Sequence, residues 1–420
     1  MQSTSYRQPG LRVTEHTLEL PLDHAKPDGE RIAVFARAVV LAEKAEAQQP
    51  WLVFLQGGPG FEGPRPVSPD SPAWLRRALA DYRVLLLDQR GMGRSTPVGP
   101  AEAIALPPQV LAERLALHRA DAIVRDAECF REALGVERWS VLGQSFGGFC
   151  AVSYLSSFPG SLREVFITGG LPPLDRSIDE VYRETYRSTM QKTGRHYERY
   201  PEDREHVRSL MARLAADDVR LPGGDRLTPQ RLRQLGLMLG TGTGSEKLHH
   251  LLELAAPSQT SPTRLTSPAF LHDVERASPF LRNPLYAVIH ESCYANGQAS
   301  AWSAQRVLPA EFADDPTLLT GEHVFPWMFD EFAGLAPFRE AAHLLADRPW
   351  APLYEPGVLA VNEVPCVAAI YVDDMYVPRA FSEQTARQIR GLRPWITNEF
   401  EHDGLHSGKV LGRLIEMVRS

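Results

Sequence analysis

Four short apolar runs limit what this chain can fold into: WLVFLQ (51–56), YRVLLLD (82–88), WSVLG (139–143) and EVFITGG (164–170). Each run is continuous rather than alternating, so its residues need cover on both faces. Strands of a parallel sheet with helices on either side meet that need. The intervening segments read as helices, SPAWLRRALAD (71–81) and the long PPQVLAERLALHRADAIVRDAECFREALG (107–135). Strand–helix alternation of this kind predicts an α/β fold with a mostly parallel sheet flanked by helices. Upstream, TEHTLELPLDH and RIAVFARAVVLA alternate as half-buried strands do.

The rhythm stops near residue 172. RSIDEVYRETYRSTMQKTGRHYERYPEDREHVRSLMARLAADD is charged, helical in pattern and free of strand signals. Helical character continues to about 350, broken by LPGGDRLTP and GTGTGSE, and strands return with PCVAAIYVDDMYVP (365–378) and PWITNEFEHDG (394–404). A helix near 380–391 and a closing helix from about 407 complete the pattern. The expected organisation is therefore a core of residues 1–171 and 356–420 interrupted by a helical cap of residues 172–355. A cap inserted there can cover the carboxyl ends of the strands, where open α/β sheets bind ligands.

Net charge is −7, which argues against a nucleic-acid partner, since phosphate recognition needs a basic face. No apolar stretch is long enough to span a bilayer, and MQSTSYRQPG opens without a basic segment leading into an apolar run, so no signal peptide is expected. Cys129, Cys150, Cys293 and Cys366 are widely spaced with no CxxC pairing. Neither a zinc site nor a disulfide framework is expected, and a cytoplasmic protein with free thiols is the simplest reading.

The chemistry concentrates at Gly143-Gln144-Ser145-Phe146-Gly147, a G-x-S-x-G placed after an apolar strand and before the helical FGGFCAVSYLSSFP. Strand, turn and helix are the setting this motif requires. Small residues allow the tight turn, Ser145 is left at the strand end, and the helix N-terminus favours a developing anion. A serine hydroxyl needs a base, and the base an orienting acid; in this fold class the chain order is Ser, then acid, then His. AAIYVDDMYVP offers Asp374, four residues before Pro378, with Asp373 as fallback. FEHDGLHSG offers His402, directly after the expected strand, and His406, where the last helix is expected to begin. In FLQGGPGFEG, Gly57 or Gly58 can turn an N–H inward to pair with that of Phe146 as an oxyanion hole. LLLDQRGMGRSTP carries Asp88, Arg90, Gly91 and Gly93, read as structural support, with Asp88 the less favoured alternative acid.

GGPG after a strand, DQRGMGRS, GQSFGG, D-x-x-V-P and a late histidine together resemble the proline iminopeptidases (prolyl aminopeptidases) of the α/β-hydrolase superfamily. The length and the cap are similar to the longer bacterial branch of that family. One position departs: many relatives carry His before GGPG, and this chain has Gln56. The resemblance implies a metal-independent, cofactor-free serine peptidase that releases N-terminal proline, or a related residue, from small peptides with a free N-terminus. It also implies carboxylates in the cap to meet the free amine. Glu291 in YAVIHESCYANG and Glu322 in LLTGEHVFPWMFDEF, the latter beside Phe325, Trp327, Met328 and Phe329, are the candidates. Cys293 reads as a buried free thiol beside the same pocket.

Two other readings compete. An esterase or amide hydrolase of the same fold would have no use for amine-binding carboxylates, and a catalytically silent binding protein would not need the serine, acid and histidine. LGTGTGSE (239–246) lacks GxGxxG spacing and a preceding strand, so it reads as a cap loop rather than a nucleotide site. RHYERYPEDREH reads as a solvated helix face. His249-His250 has no acidic or cysteine partner at ligand spacing, so no metal is expected there.

Overall fold

Nine strands form one sheet in the order β1-β2-β3-β5-β4-β6-β7-β8-β9 in a computed structural model that describes residues 1–255 and 267–420. The strands are β1 (Gln2–Gln8), β2 (Leu11–Pro21), β3 (Arg31–Leu41), β4 (Trp51–Leu55), β5 (Arg83–Asp88), β6 (Trp139–Gln144), β7 (Leu162–Thr168), β8 (Cys366–Tyr371) and β9 (Leu392–Thr397). The first three pair antiparallel, as does β3 with β5, and every pairing from β5 through β9 is parallel. The four apolar runs are β4 to β7, and β6 is buried along its whole length.

Strand order decides where the site can be. The chain enters at β4, moves outward to β5, then returns to place β6 on the other side of β4. The carboxyl ends of β4 and β6 therefore flank a topological switch point, where crevices open in such sheets. The pairing of Leu55 with Gly143 sets the GGPG loop beside the G-x-S-x-G turn.

Helices cover both faces of the sheet, and two apolar cores form. One lies under Leu75–Asp81 and the amphipathic closing helix Val410–Arg419, through Leu75, Leu79, Val410 and Leu414. The other joins the opposite face to the helices that lie between β7 and β8 in the chain. That helical segment opens with a capping box: the Ser177 hydroxyl accepts from the N–H of Glu180, and the Glu180 carboxylate accepts from the N–H of Ser177. No helix among the described residues is long and apolar enough to cross a membrane.

Local patterning misread several elements. The long helix expected over 107–135 is two helices, Pro108–Leu115 and Ala120–Ala133, with an extended Arg119 between them. The break frees Arg119 to reach across to the cap. Its guanidinium donates to the carbonyls of Ser292 (2.9 Å), Ala295 and Ala351 (3.0 Å). The last strand ends at Thr397, well short of the expected 404, so His402 stands on a loop rather than directly after a strand. His406 lies in the 3-10 turn Gly404–Ser407, before the closing helix, which begins at Val410. β1 had no pattern to announce it: QSTSYRQ is polar and exposed, and it is a strand because it pairs with β2.

Candidate active site

Ser145 holds a conformation that helices and strands do not use, φ 54° and ψ −126°, at the junction of β6 and the helix Phe146–Ser157. The turn closes only because the residues two positions away on either side lack side chains. A Cβ on Gly143 would lie 2.3 Å from the Gly147 carbonyl oxygen, and one on Gly147 would lie 1.9 Å from that of Leu55. The elbow is tied to β7, where the Thr168 carbonyl accepts from the N–H of Ser145 at 3.0 Å. The following helix is buried almost throughout, which suits FGGFCAVSYLSS, a segment with no charged residue and no polar face.

The GGPG loop rests directly on the elbow. A Cβ on Gly57 would stand 2.8 Å from the Ser145 Cβ and 2.4 Å from Gln144 Oε1. The carbonyl of Gln56 accepts from the Gln89 amide at 2.9 Å, which anchors the loop from β5's side. As the first residue of its helix, Phe146 has no intrahelical acceptor for its N–H.

Of the two acids at the end of β8, the fold separates Asp374 from Asp373. Asp374 is buried; its Oδ1 accepts from the N–H groups of Tyr376 (2.9 Å) and Val377 (3.0 Å), and its Oδ2 lies 2.7 Å from His402 Nδ1. Asp373 points outward to Arg195 at 3.1 Å. His406 is exposed, while His402 is buried. Burial alone would lower the His402 pKa, but the charge and hydrogen bond of Asp374 outweigh it, and the net shift is upward. A Cβ on Gly169 would come within 3.2 Å of His402 Nδ1, so the Thr168–Gly170 segment touches both the elbow and the imidazole. Asp88 does the work of a brace. Fully buried, it accepts from the N–H groups of Gly63 and Arg94, both at 3.0 Å, and pairs with Arg65 at 3.0 Å.

The cap closes over this floor with aromatic rings. Phe146 leads to Phe149, Phe149 to Tyr294, and Tyr294 to Tyr182 and His290, each pair edge-on or tilted at 5.6–6.3 Å. Tyr286 packs on Phe61 of the GGPG loop at 5.3 Å, and its hydroxyl donates to Glu322. Burial pushes the Glu322 carboxyl up to about 7, against the pull of the Tyr286 hydrogen bond and the nearby His402; Asp374 adds to the rise. Glu291 lies deeper in the cap. Its Oε1 accepts from the N–H of Ala304 at 2.9 Å, its Oε2 has no partner among the described residues, and burial pushes it too up to about 7. The buried Tyr182 hydroxyl also lacks a partner among the described residues and is influenced by both glutamates.

Sequence reasoning missed the support of the histidine loop. The segment read only as a cap loop, 239–246, holds it in place: the Gly240 carbonyl accepts from the N–H of His402 at 3.3 Å, and the N–H of Gly242 donates to Asp403 at 3.0 Å. A Cβ on Gly240 would collide with the Tyr376 ring, which itself stands edge-on to His402 at 4.8 Å. Nothing local in GTGTG signals a partner more than 150 residues away in the chain. A second correction concerns His249 and His250. Glu253, one turn along the same helix, lies 3.5 Å from His249 and 3.0 Å from His250, and Asp203 from a neighbouring helix lies 3.0 Å from His249.

A family model described as the alpha/beta hydrolase fold matches residues 50–264. A proline iminopeptidase of Aeromonas sobria is 45% identical over 98% of this chain and 97% of its own length. A proline iminopeptidase of Aspergillus aculeatus is 35% identical over 96% of this chain and 92% of its own. The solved structure of a proline iminopeptidase from Mycobacterium smegmatis aligns over 96% of this chain and 98% of that chain, at 17% identity and a TM-score of 0.45.

Proposed function

This chain belongs to the proline iminopeptidase family of α/β hydrolases, and from that premise we propose that it is a serine aminopeptidase releasing N-terminal proline or a related residue from small peptides. Ser145 attacks the carbonyl of the first residue. His402 takes the Ser145 proton and passes it to the leaving amine, while Asp374 orients the ring and stabilises its charged form. The N–H of Phe146, with that of Gly57 or Gly58, holds the oxyanion. Water then hydrolyses the acyl-enzyme, with His402 again the base. The cap, 172–355, supplies the S1 walls and the counter-charges for the substrate ammonium, Glu322 near the imidazole and Glu291 elsewhere in the cap. Four free cysteines suit a reducing compartment, and we assign the protein to the cytoplasm.

The observation that carries this reading over an esterase is Glu322, an acid held in an aromatic pocket close enough to His402 for the two to influence each other's ionisation. A neutral ester gives such a group nothing to pair with, whereas a free α-ammonium does. The test compares turnover of proline β-naphthylamide with its alanine and leucine analogues, an N-blocked proline substrate and a p-nitrophenyl ester, in wild type and Ser145→Ala. Preference for unblocked proline, abolished in Ser145→Ala, is the expected result. Ester turnover indifferent to a free amine would overturn the peptidase reading.

A further inference from the structure

Among the described residues, one group of ligand-type side chains brings its donor atoms within 4.8 Å of one another, His249, His250 and Glu253 on the cap helix Gly244–Ala255. His250 and Glu253 are open to solvent, with side chains 72% and 56% exposed. His249 is mostly covered, and its ring is fixed by stacking on Tyr200 at 4.0 Å and 7°.

The protonation pattern around His249 points outward. Its Nδ1 lies 3.0 and 3.1 Å from the two carboxylate oxygens of Asp203, a fully buried acid that also meets His196 Nε2 at 3.0 Å. An ionised Asp203 only accepts, so it takes the Nδ1–H of His249 and leaves Nε2 with a lone pair. That lone pair faces Glu253 Oε1 at 3.5 Å, while Glu253 Oε2 lies 3.0 Å from His250 Nδ1. The three side chains thus gather their donor atoms within 4.8 Å of one another, with the buried acid on the far side of the His249 ring. In a tetrahedral site with bonds of about 2.0–2.1 Å, neighbouring donors stand about 3.3–3.4 Å apart. The two histidines approach different oxygens of the Glu253 carboxylate, at distances on either side of that. Arg199, over the Tyr200 ring, is paired with Glu246 at 2.6 Å.

We propose that His249 Nε2, His250 Nδ1 and the Glu253 carboxylate bind a divalent transition metal of the zinc class, with Asp203 orienting His249 from behind and solvent completing the coordination. Two imidazoles and one carboxylate suit such an ion better than magnesium or calcium, which take all-oxygen sites. A carboxylate behind a ligating histidine is the usual second support of such a site. Because Asp203 belongs to the helix Pro201–Ala216, the ion would tie two cap helices together through the Asp203–His249 contact. The proposal is independent of the reaction at Ser145.

The test uses the full chain, stripped with EDTA and dialysed, titrated with Co2+ by visible absorption and with Zn2+ by calorimetry. One ion per chain is expected, with cobalt d–d bands that Zn2+ displaces and a higher Tm in the loaded protein. His250→Ala and Glu253→Gln should each weaken binding roughly tenfold or more, with unchanged circular dichroism and unchanged hydrolytic activity. Absence of stoichiometric binding, or an affinity unmoved in both variants, would overturn the proposal.

Discussion

Two sets of serine, histidine and aspartate among the described residues invite comparison, and they differ in the backbone setting of the serine. Beside Ser145, His402 gives its Nδ1 to Asp374 at 2.7 Å. In the cap, Ser245 Oγ lies 2.8 Å from His196 Nδ1, and His196 Nε2 lies 3.0 Å from Asp203. The residue types are the same and the two histidine–aspartate separations are comparable. The difference lies in what surrounds them. Ser145 sits in a conformation outside helix and strand, between β6 and the helix that follows, whereas Ser245 lies inside a helix, in its first turn. Asp374 spends its second oxygen on two backbone N–H groups and serves one histidine, whereas Asp203 is shared by His196 and His249, with His206 at 3.6 Å. The same three residue types thus form a polar joint between helices in the cap, and what sets the proposed nucleophile apart is the backbone geometry of its serine.

The sharpest way to break this comparison is at the two serines. Ser145→Ala should lower kcat by about 10^6-fold, and Ser245→Ala should leave it within about twofold, both measured on proline β-naphthylamide. Comparable losses from the two would put the cap set into the chemistry. Next come the acids. Asp374→Asn should cost about 10^4-fold in kcat, because the amide holds His402 in the wrong tautomer. Asp203→Asn should instead cost about 2 kcal/mol of stability by leaving buried histidine nitrogens poorly paired, read by thermal denaturation with kcat unchanged. Asp373→Asn should do neither, since that side chain faces Arg195.

A smaller effect tests the amine site. Glu322→Gln should lower kcat/KM for free-amine substrates by about 10–100-fold, the worth of a charged hydrogen bond, and leave a p-nitrophenyl ester unaffected. Equal losses on both substrates would mean that Glu322 only supports His402. Smallest is the pH dependence. Glu322, raised to about 7, is neutral below that pH and cannot pair with an ammonium. His402, raised above its ordinary value, is protonated on the same side and cannot act as base. Both protonations inactivate, so log kcat/KM should fall with a slope approaching two as pH drops below 7. Glu322→Gln should reduce that slope to one.

How much of this was legible in the chain differs by element. The parallel strands were readable because burial on both faces demands continuous apolar runs, and the elbow was readable because its turn admits only small residues on either side of Ser145. β1 and the end of the last strand were not, since one is a strand by pairing alone and the other stops where its neighbour β8 does. The break at Arg119 was hidden for a similar reason. Its cause is a set of cap carbonyls about 175 residues away in the chain.

The sequence by itself determined the α/β architecture, the position of the elbow serine and a short slate of candidate partners for it, because apolar periodicity and glycine spacing act through the nearest few residues. Only the tertiary structure set Asp374 rather than Asp373 against His402 and left His406 exposed. It also brought Glu322 into the field of the imidazole, drew Gly240 under the histidine loop and gave His249 its buried acid. Those choices depend on distances between segments far apart in the chain, and on burial strong enough to move a carboxyl from 4.5 to about 7. Neither is encoded in any local window of residues.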